Sequence, residues 1–273
     1  MKHLLISITT LFLMVGCTFS PLPFEDDATS QTVNTTLVCA KQIDVYQLSI
    51  NGIKLPKASF DLYLKKLKKY TTDNVIVHET VNLSLDEKDV NYFVQKYGHE
   101  GGYKTTSTNL LSSEDSLKFT KFVNETEKKD SAIVMIYTPE LLCSRDNHQL
   151  RGIAFTHSDR VNIVAFNGPT INHAPVISDT QAWKIVLTHE VGHRLGVPAK
   201  IDHNKAGHCT SRECVMYARP DTKAVLSVLF HGMPYDFCDK CKAELREAKK
   251  SCESGAYIHY ETVNIDTDNI KQK

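Results

Sequence analysis

The sequence predicts an α/β (α+β) fold, with helices packed on a mixed, twisted sheet. Three observations carry this. Ser131–Thr138, "SAIVMIYT", is an apolar, β-branched run of the kind found in a central strand. "RGIAFTH" (Arg151–His157) and "VNIVAFNG" (Val161–Gly168) flank the short polar turn "SDR" and predict a hairpin. Ala58–Lys69 and Ser113–Lys129 carry apolar residues at helical spacing, and a further helix is predicted to end at Leu195.

Taken along the chain, Ala58–Lys69 is a helix whose lysines form a solvated face. Asn74–Leu83 alternates as a strand does, and Asp86–Tyr97 is a helix ended by Gly98. Glu100–Asn109 is a polar loop. Asp115 or Ser113 can cap the second long helix. Pro139 ends the central strand, and Asn167-Gly168-Pro169 closes the hairpin unit. Ser178 or Asp179 caps the helix that runs to Leu195. No repeat is visible and no Gly/Ser linker follows residue 40. One domain is expected, closed by a C-terminal part that cysteines and one or two helices hold together.

Lys+Arg and Asp+Glu balance at 32 each, so charge lends nucleic-acid binding no support. Lys2 and His3 precede an apolar run from Leu4 to Val15. That run falls short of the roughly 20 residues a spanning helix needs, and reads as an export signal. It ends "LMVGC", which resembles a bacterial lipoprotein box with Cys17 as the lipidated residue, although Met14 stands where leucine is commoner. A plain signal peptide is the alternative. The Ser, Thr, Asp and Pro that follow suit a flexible tether.

The stretch Leu187–Gly196, "LTHEVGHRLG", carries the chemistry. His189 and His193 lie one turn apart on one helix face, and Trp183, Leu187, Val191 and Leu195 form an apolar stripe on roughly the opposite face. Two imidazoles so placed can share one zinc ion. Glu190 can reach a metal-activated water without itself ligating. Gly192 leaves room on the helix, and Gly196 suits a left-handed turn that ends it. A buried helix with two satisfied histidines is the bland alternative. A catalytic zinc needs a third protein ligand, and His203 and His208 are the candidates by chemistry, with the acidic Asp202 or Glu213 as others.

Eight cysteines are present. Cys209, Cys214, Cys238 and Cys241 cluster near the histidine helix, while Cys39, Cys143 and Cys252 are scattered. For an exported chain the default for any pair is a disulfide. Cys39–Cys143 is one option, but spacing alone does not establish connectivity.

The order His189, Glu190, His193, Gly196, His208, Cys209, Cys214, Met216, Cys238, Cys241 resembles the archaemetzincins. Their signature is His-Glu-x-x-His-x-x-Gly-x-x-His-Cys-x4-Cys-x-Met, followed by Cys-x-x-Cys. The likeness covers roughly residues 130–245. Eleven residues, instead of two, separate Gly196 from His208, and 21 separate Met216 from Cys238. Both differences read as loop insertions, which cost little closure entropy. The resemblance favours His208 over His203 as third ligand. It implies a metzincin-like fold for residues 41–273, after a signal peptide at 1–16 and a lipidated tether at 17–40. It further implies a methionine turn at Met216, and a structural zinc on Cys209, Cys214, Cys238 and Cys241, against the alternative of two disulfides. Tyr217 follows as a possible oxyanion donor or a packing residue.

On that reading the protein is a zinc peptidase of the bacterial cell envelope, with two zinc ions, a peptide or protein substrate, a lipid anchor in the membrane and no nucleic-acid partner. Glu190 is the general base, and the strand at Val161–Phe166 resembles the metzincin edge strand onto which an extended substrate adds. The rival is a non-catalytic, zinc-stabilised surface lipoprotein acting in adhesion or binding. The intact Glu190 speaks against it, since a structural site has no use for a base.

Overall fold

The computed structural model describes residues 32–86, 111–138, 178–205, 207–217 and 235–255, with the backbone of short strands between 142 and 167. The signal, Cys17, the expected helix 86–97 beyond Asp86, and the loop 100–109 lie outside the described residues. Five helices are described: α1 (Thr35–Val38), α2 (Lys57–Tyr70), α3 (Ser113–Glu127), α4 (Asp179–Leu195) and α5 (Asp239–Ser254). The main sheet holds β1 (Ile43–Ile50), β2 (Val75–Val77), β3 (Val81–Leu83), β4 (Ala132–Thr138), β7 (Gly152–Ala154) and β8 (Asn162–Asn167). Leu142–Cys143 (β5) pairs with Gln149–Leu150 (β6), and Asn204–Lys205 (β9) pairs with His208–Cys209 (β10), each antiparallel.

The main sheet runs β2-β1-β4-β8-β7, with β3 also on β1. β2, β3, β4 and β8 pair in parallel, and only β7 is antiparallel, to β8. The expected central strand is therefore present, with all seven residues of β4 buried, because helices cover both faces. One face buries Ile43, Val45, Ile133, Met135 and Tyr137 against Tyr63 and Leu67 of α2 and Leu187 and Val191 of α4. The other buries Tyr46, Leu48, Val134 and Ile136 against Phe119 and Phe122 of α3. The hairpin is present as β7–β8, but the strand expected at the edge, Val161–Phe166, is not one: β8 lies between β4 and β7, and β7 ends the described sheet on that side.

Three expectations change. First, β1 has no counterpart in the sequence reading, yet it lies between β2/β3 and β4. Its polar residues find partners only in the folded chain: Asp44 meets His78 Nε2 at 2.8 Å, Gln47 Oε1 accepts from the Tyr137 hydroxyl, and Ser49 donates to the Ile53 carbonyl. Second, the strand expected over 74–83 is two, β2 and β3, each on a different part of β1. The chain leaves the ladder between them, where the His78 ring stacks on Tyr46 at 4.0 Å. Third, α3 is capped by Ser112, whose hydroxyl accepts from the Asp115 N–H at 3.1 Å. Asp115 instead accepts from Ser84 N–H, fastening the end of the β3 segment to the start of α3.

Packing also begins inside the 17–40 stretch expected as a tether. Val33, Leu37 and Val38 are buried, and the Asn34 N–H donates to the Leu195 carbonyl at 3.0 Å. Apolar side chains at these positions have a core to enter once α4 and α5 are in place. Cys39 pairs with Cys252 at a Cα separation of 5.3 Å, so the Cys39–Cys143 option gives way to a bridge to the C-terminal helix. Spacing could not show this, because the partners are 213 residues apart.

Candidate metal centres

Helix α4 is built by its own sequence. Ser178 and Gln181 form a capping box: Ser178 Oγ accepts from the Gln181 N–H, and Gln181 Oε1 accepts from the Ser178 N–H. At the far end Gly196 takes φ 73°. Val197 N–H reaches the Gly192 carbonyl and Gly196 N–H the His193 carbonyl, a Schellman ending. A Cβ at residue 196 would also collide with the Thr32 carbonyl, so close packing of the N-terminal segment adds a second demand for glycine. Trp183, Leu187, Val191 and Leu195 are buried as expected.

The other face presents His189 and His193 with their Nε2 atoms 3.0 Å apart. His208, at the start of β10, closes the group: its ring centre lies 5.2 Å from that of His189 and 4.9 Å from that of His193. One ring nitrogen from each of the three lies within 4.8 Å of the others. Two nitrogens on one tetrahedral zinc stand about 3.3 Å apart, given bonds of about 2.05 Å. The His189–His193 separation is close to that. His189 Nδ1 donates to the Val215 carbonyl at 2.7 Å, which leaves Nε2 as the lone-pair face. Burial, with the neighbouring His208, holds His189 down to about 4, and burial holds His193 well below its usual range. Both rings are therefore in the neutral, ligating form at neutral pH.

Glu190 sits behind this group at 5% exposure, its Oε2 without a hydrogen-bond partner among the described residues. Burial pushes its carboxyl up to about 8. Met216 is fully buried beneath the helix, against Gly192. Tyr217 is half-buried, its backbone bridged to Cys209 and its N–H on the Cys214 carbonyl.

Cys209, Cys214, Cys238 and Cys241 form a second group, all four as free thiols within 4.8 Å of one another. Cys209 and Cys238 Sγ are 3.6 Å apart, and Cys214 and Cys241 Sγ are 3.8 Å apart. A disulfide needs about 2.05 Å, whereas thiolates on one tetrahedral zinc, at about 2.3 Å each, stand about 3.8 Å apart. Backbone N–H groups of Cys238 and Ser211 point at the sulfurs of Cys214 and Cys209. Hydrogen bonds from Cys214 and Cys241 hold the Cys209 thiol down at about 2, and the bond with Cys209 pushes Cys214 up to about 12 and Cys241 higher still.

The remaining ligand candidates lie elsewhere. His203 is 2% exposed, with Nδ1 on Asp202 Oδ1 at 2.9 Å and Nε2 3.7 Å from Cys241 Sγ and 3.5 Å from Glu244 Oε1. Asp202 also bonds Lys240 at 2.8 Å, and Glu213 is exposed. His203, Cys241 and Glu244 thus make a third close group beside the thiols. Two functional groups went unread in the sequence. The Val215 carbonyl is backbone and leaves no side-chain signal. Glu244 stands one turn after Cys241 on α5, a spacing that could have flagged it.

No family model matches the chain, and a search of curated proteins finds no match. Among solved structures the chain is similar to an archaemetzincin from Methanopyrus kandleri, at 19% identity and TM-score 0.46, covering 77% of this chain and 97% of that one. It is similar to an archaemetzincin from Archaeoglobus fulgidus at 14% identity and TM-score 0.39, with 74% and 99% covered. A zinc-dependent peptidase from Methanocorpusculum labreanum matches at 16% identity and TM-score 0.39, with the same shares covered.

Proposed function

We propose that the protein is a zinc-dependent peptidase. The observation that carries this reading is the convergence of His189, His193 and His208 next to the buried Glu190 side chain, whose Oε2 has no partner among the described residues. The donor set fits zinc: three imidazoles leave one tetrahedral position open. Zinc held there would supply an acidified water and a Lewis acid for the carbonyl oxygen. His189, oriented by Val215, His193 and His208 would hold the ion. Glu190 would take the proton from the attacking water and pass it to the leaving amine; its burial strengthens its hold on that proton. Tyr217, next to Met216, is a candidate donor to the developing oxyanion. The four thiols suit a second, structural zinc with no open position.

Glu190→Gln tests the mechanism. The variant should keep its zinc and lose about 10²–10⁴-fold in peptide turnover. Undiminished turnover in a zinc-replete variant rules out Glu190 as the base. Zinc bound by a wild-type chain that cleaves no member of a peptide library favours the non-catalytic surface lipoprotein.

An exported location, with Cys17 carrying a lipid on the cell envelope, completes the reading. The Cys39–Cys252 disulfide suits an oxidising compartment. Cys17→Ser should move the protein from the membrane fraction to the soluble one; unchanged fractionation counts against the anchor.

A further inference from the structure

The insertion between Gly196 and the third histidine, residues 197–207, raises a physical problem. Eleven residues of free loop would let His208 wander away from the helix pair, and holding it there would cost conformational entropy. We infer that Glu244 is a positioning residue for the histidine centre: its buried carboxylate holds the insertion on α5 and so sets where His208 stands. This rests on the zinc-peptidase reading.

The contacts run in one direction along the insertion. Glu244 is 1% exposed and accepts from Ala199 N–H at 2.9 Å and Lys200 N–H at 2.7 Å. Both donors sit near the start of the inserted loop, and an N–H left there without an acceptor is destabilising. His203 packs over the same carboxylate, as described above, and its carbonyl accepts from Thr210 N–H at 2.9 Å. Between these lie β9 and β10, where His208 pairs with Lys205 and Cys209 with Asn204. The clamp at Glu244 is thus carried by backbone bonds to both sides of His208. Two more ties flank it, Lys240 to Asp202 and Lys200 to Glu247, each at 2.8 Å. Lys240, Glu244 and Glu247 fall on one helix face, so residues 199–203 of the insertion dock along a single side of α5. The flanking pairs are solvated and contribute little; the buried carboxylate is the decisive contact.

His208 and Cys209 are neighbours in β10, and one faces the histidine group while the other joins the thiol group. A loss of the clamp is therefore expected to loosen His208 while Cys209 stays fixed by its three thiol partners. The two centres can be read apart with Co²⁺ as probe, because thiolate ligation gives an intense near-ultraviolet absorption and histidine ligation only weak visible bands.

The full chain, stripped of metal, is titrated with Co²⁺ as wild type, Glu244→Ala and Glu244→Gln, and then challenged with a competing chelator. Wild type should take two ions. Glu244→Ala should keep the thiolate absorption and hold the histidine-centre ion about 10–100-fold more weakly. Excess Co²⁺ should restore its peptide cleavage. Glu244→Gln, which keeps an acceptor oxygen, should fall between the two; if the alanine variant does not fold, weakening in the glutamine variant carries the test. Equal affinity at the histidine centre in wild type and the folded variants overturns the inference. So does loss of the thiolate absorption in step with the second ion, which would assign Glu244 to the thiol cluster. A wild-type chain that takes only thiolate-bound Co²⁺ overturns the peptidase reading and this inference together. Two ions and peptide cleavage with indifferent variants overturn only the inference.

Discussion

Met216 Sδ occupies the space that a Cβ on Gly192 would need, and the Phe237 ring closes the same space from the side. The loop carrying Met216 can approach the histidine helix this closely only because residue 192 has no side chain.

Gly192→Ala therefore sets two effects against each other. Helix propensity favours alanine by about 1 kcal/mol, while forcing a methyl into a filled core costs about 1–3 kcal/mol. The clash should win, lowering the midpoint of thermal unfolding and weakening zinc retention against a chelator. Met216→Ala removes the nearest atoms, so the double variant should lose less than the two single losses added together. A Gly192→Ala protein more stable than wild type would show that Met216 moves aside freely.

Acid should attack a different part of the fold. Asp44 is 3% exposed on β1. Burial pushes its carboxyl up, but bonds from Gln42 and His78 and the charge of Lys129 outweigh this, and the net shift is downward. Its stabilising contribution is therefore complete above the unfolded-state value of about 3.9, and is lost as pH falls through the lower folded value. Urea unfolding of wild type and Asp44→Asn below about pH 4 measures this. The wild-type stability should fall more steeply with acid; parallel slopes would mean that Asp44 does not contribute.

The Cys39–Cys252 bridge joins the N-terminal segment that packs on Leu195 to the helix that carries Cys241. Cys252→Ser should cost about 2–4 kcal/mol, or roughly 5–15 °C in the unfolding midpoint. Because α1 packs against both α4 and α5, protease should then cut first near residues 32–40. Identical melting and digestion patterns would show that packing alone holds this segment.

Metal analysis with thiol counting separates the two centres. A purified chain lacking its first 31 residues should carry two zinc ions, and chelation should make four additional thiols reactive under native conditions. One ion, with the four thiols released by chelation, would leave only the cluster as a zinc site.

Much of this was legible locally. The capping box at Ser178, the stripe from Trp183 to Leu195 and the stop at Gly196 are decided by neighbours within a few residues, and they define α4 before any tertiary contact forms. β4 is legible because a strand buried on both faces reads as a near-continuous apolar run. β1 is not, because Asp44, Gln47 and Ser49 look solvent-facing until His78, Tyr137 and the Ile53 carbonyl arrive from elsewhere in the fold. The cap of α3 differed by one residue, since Ser112 and Ser113 are equivalent as chemistry and only the entry angle of the chain chooses between them.

For the candidate site, the sequence by itself determined that two imidazoles share a helix face with a carboxylate beside them, since helical geometry requires only local spacing. It also supplied four cysteines in two close pairs. Tertiary structure decided which distant histidine joins the pair, that His203 is drawn instead to Cys241 and Glu244, that Cys39 meets Cys252, and that the Val215 carbonyl sets the His189 tautomer. Each of these depends on how a loop or chain end returns through space, and that path is chosen by burial and hydrogen bonding summed over the whole core.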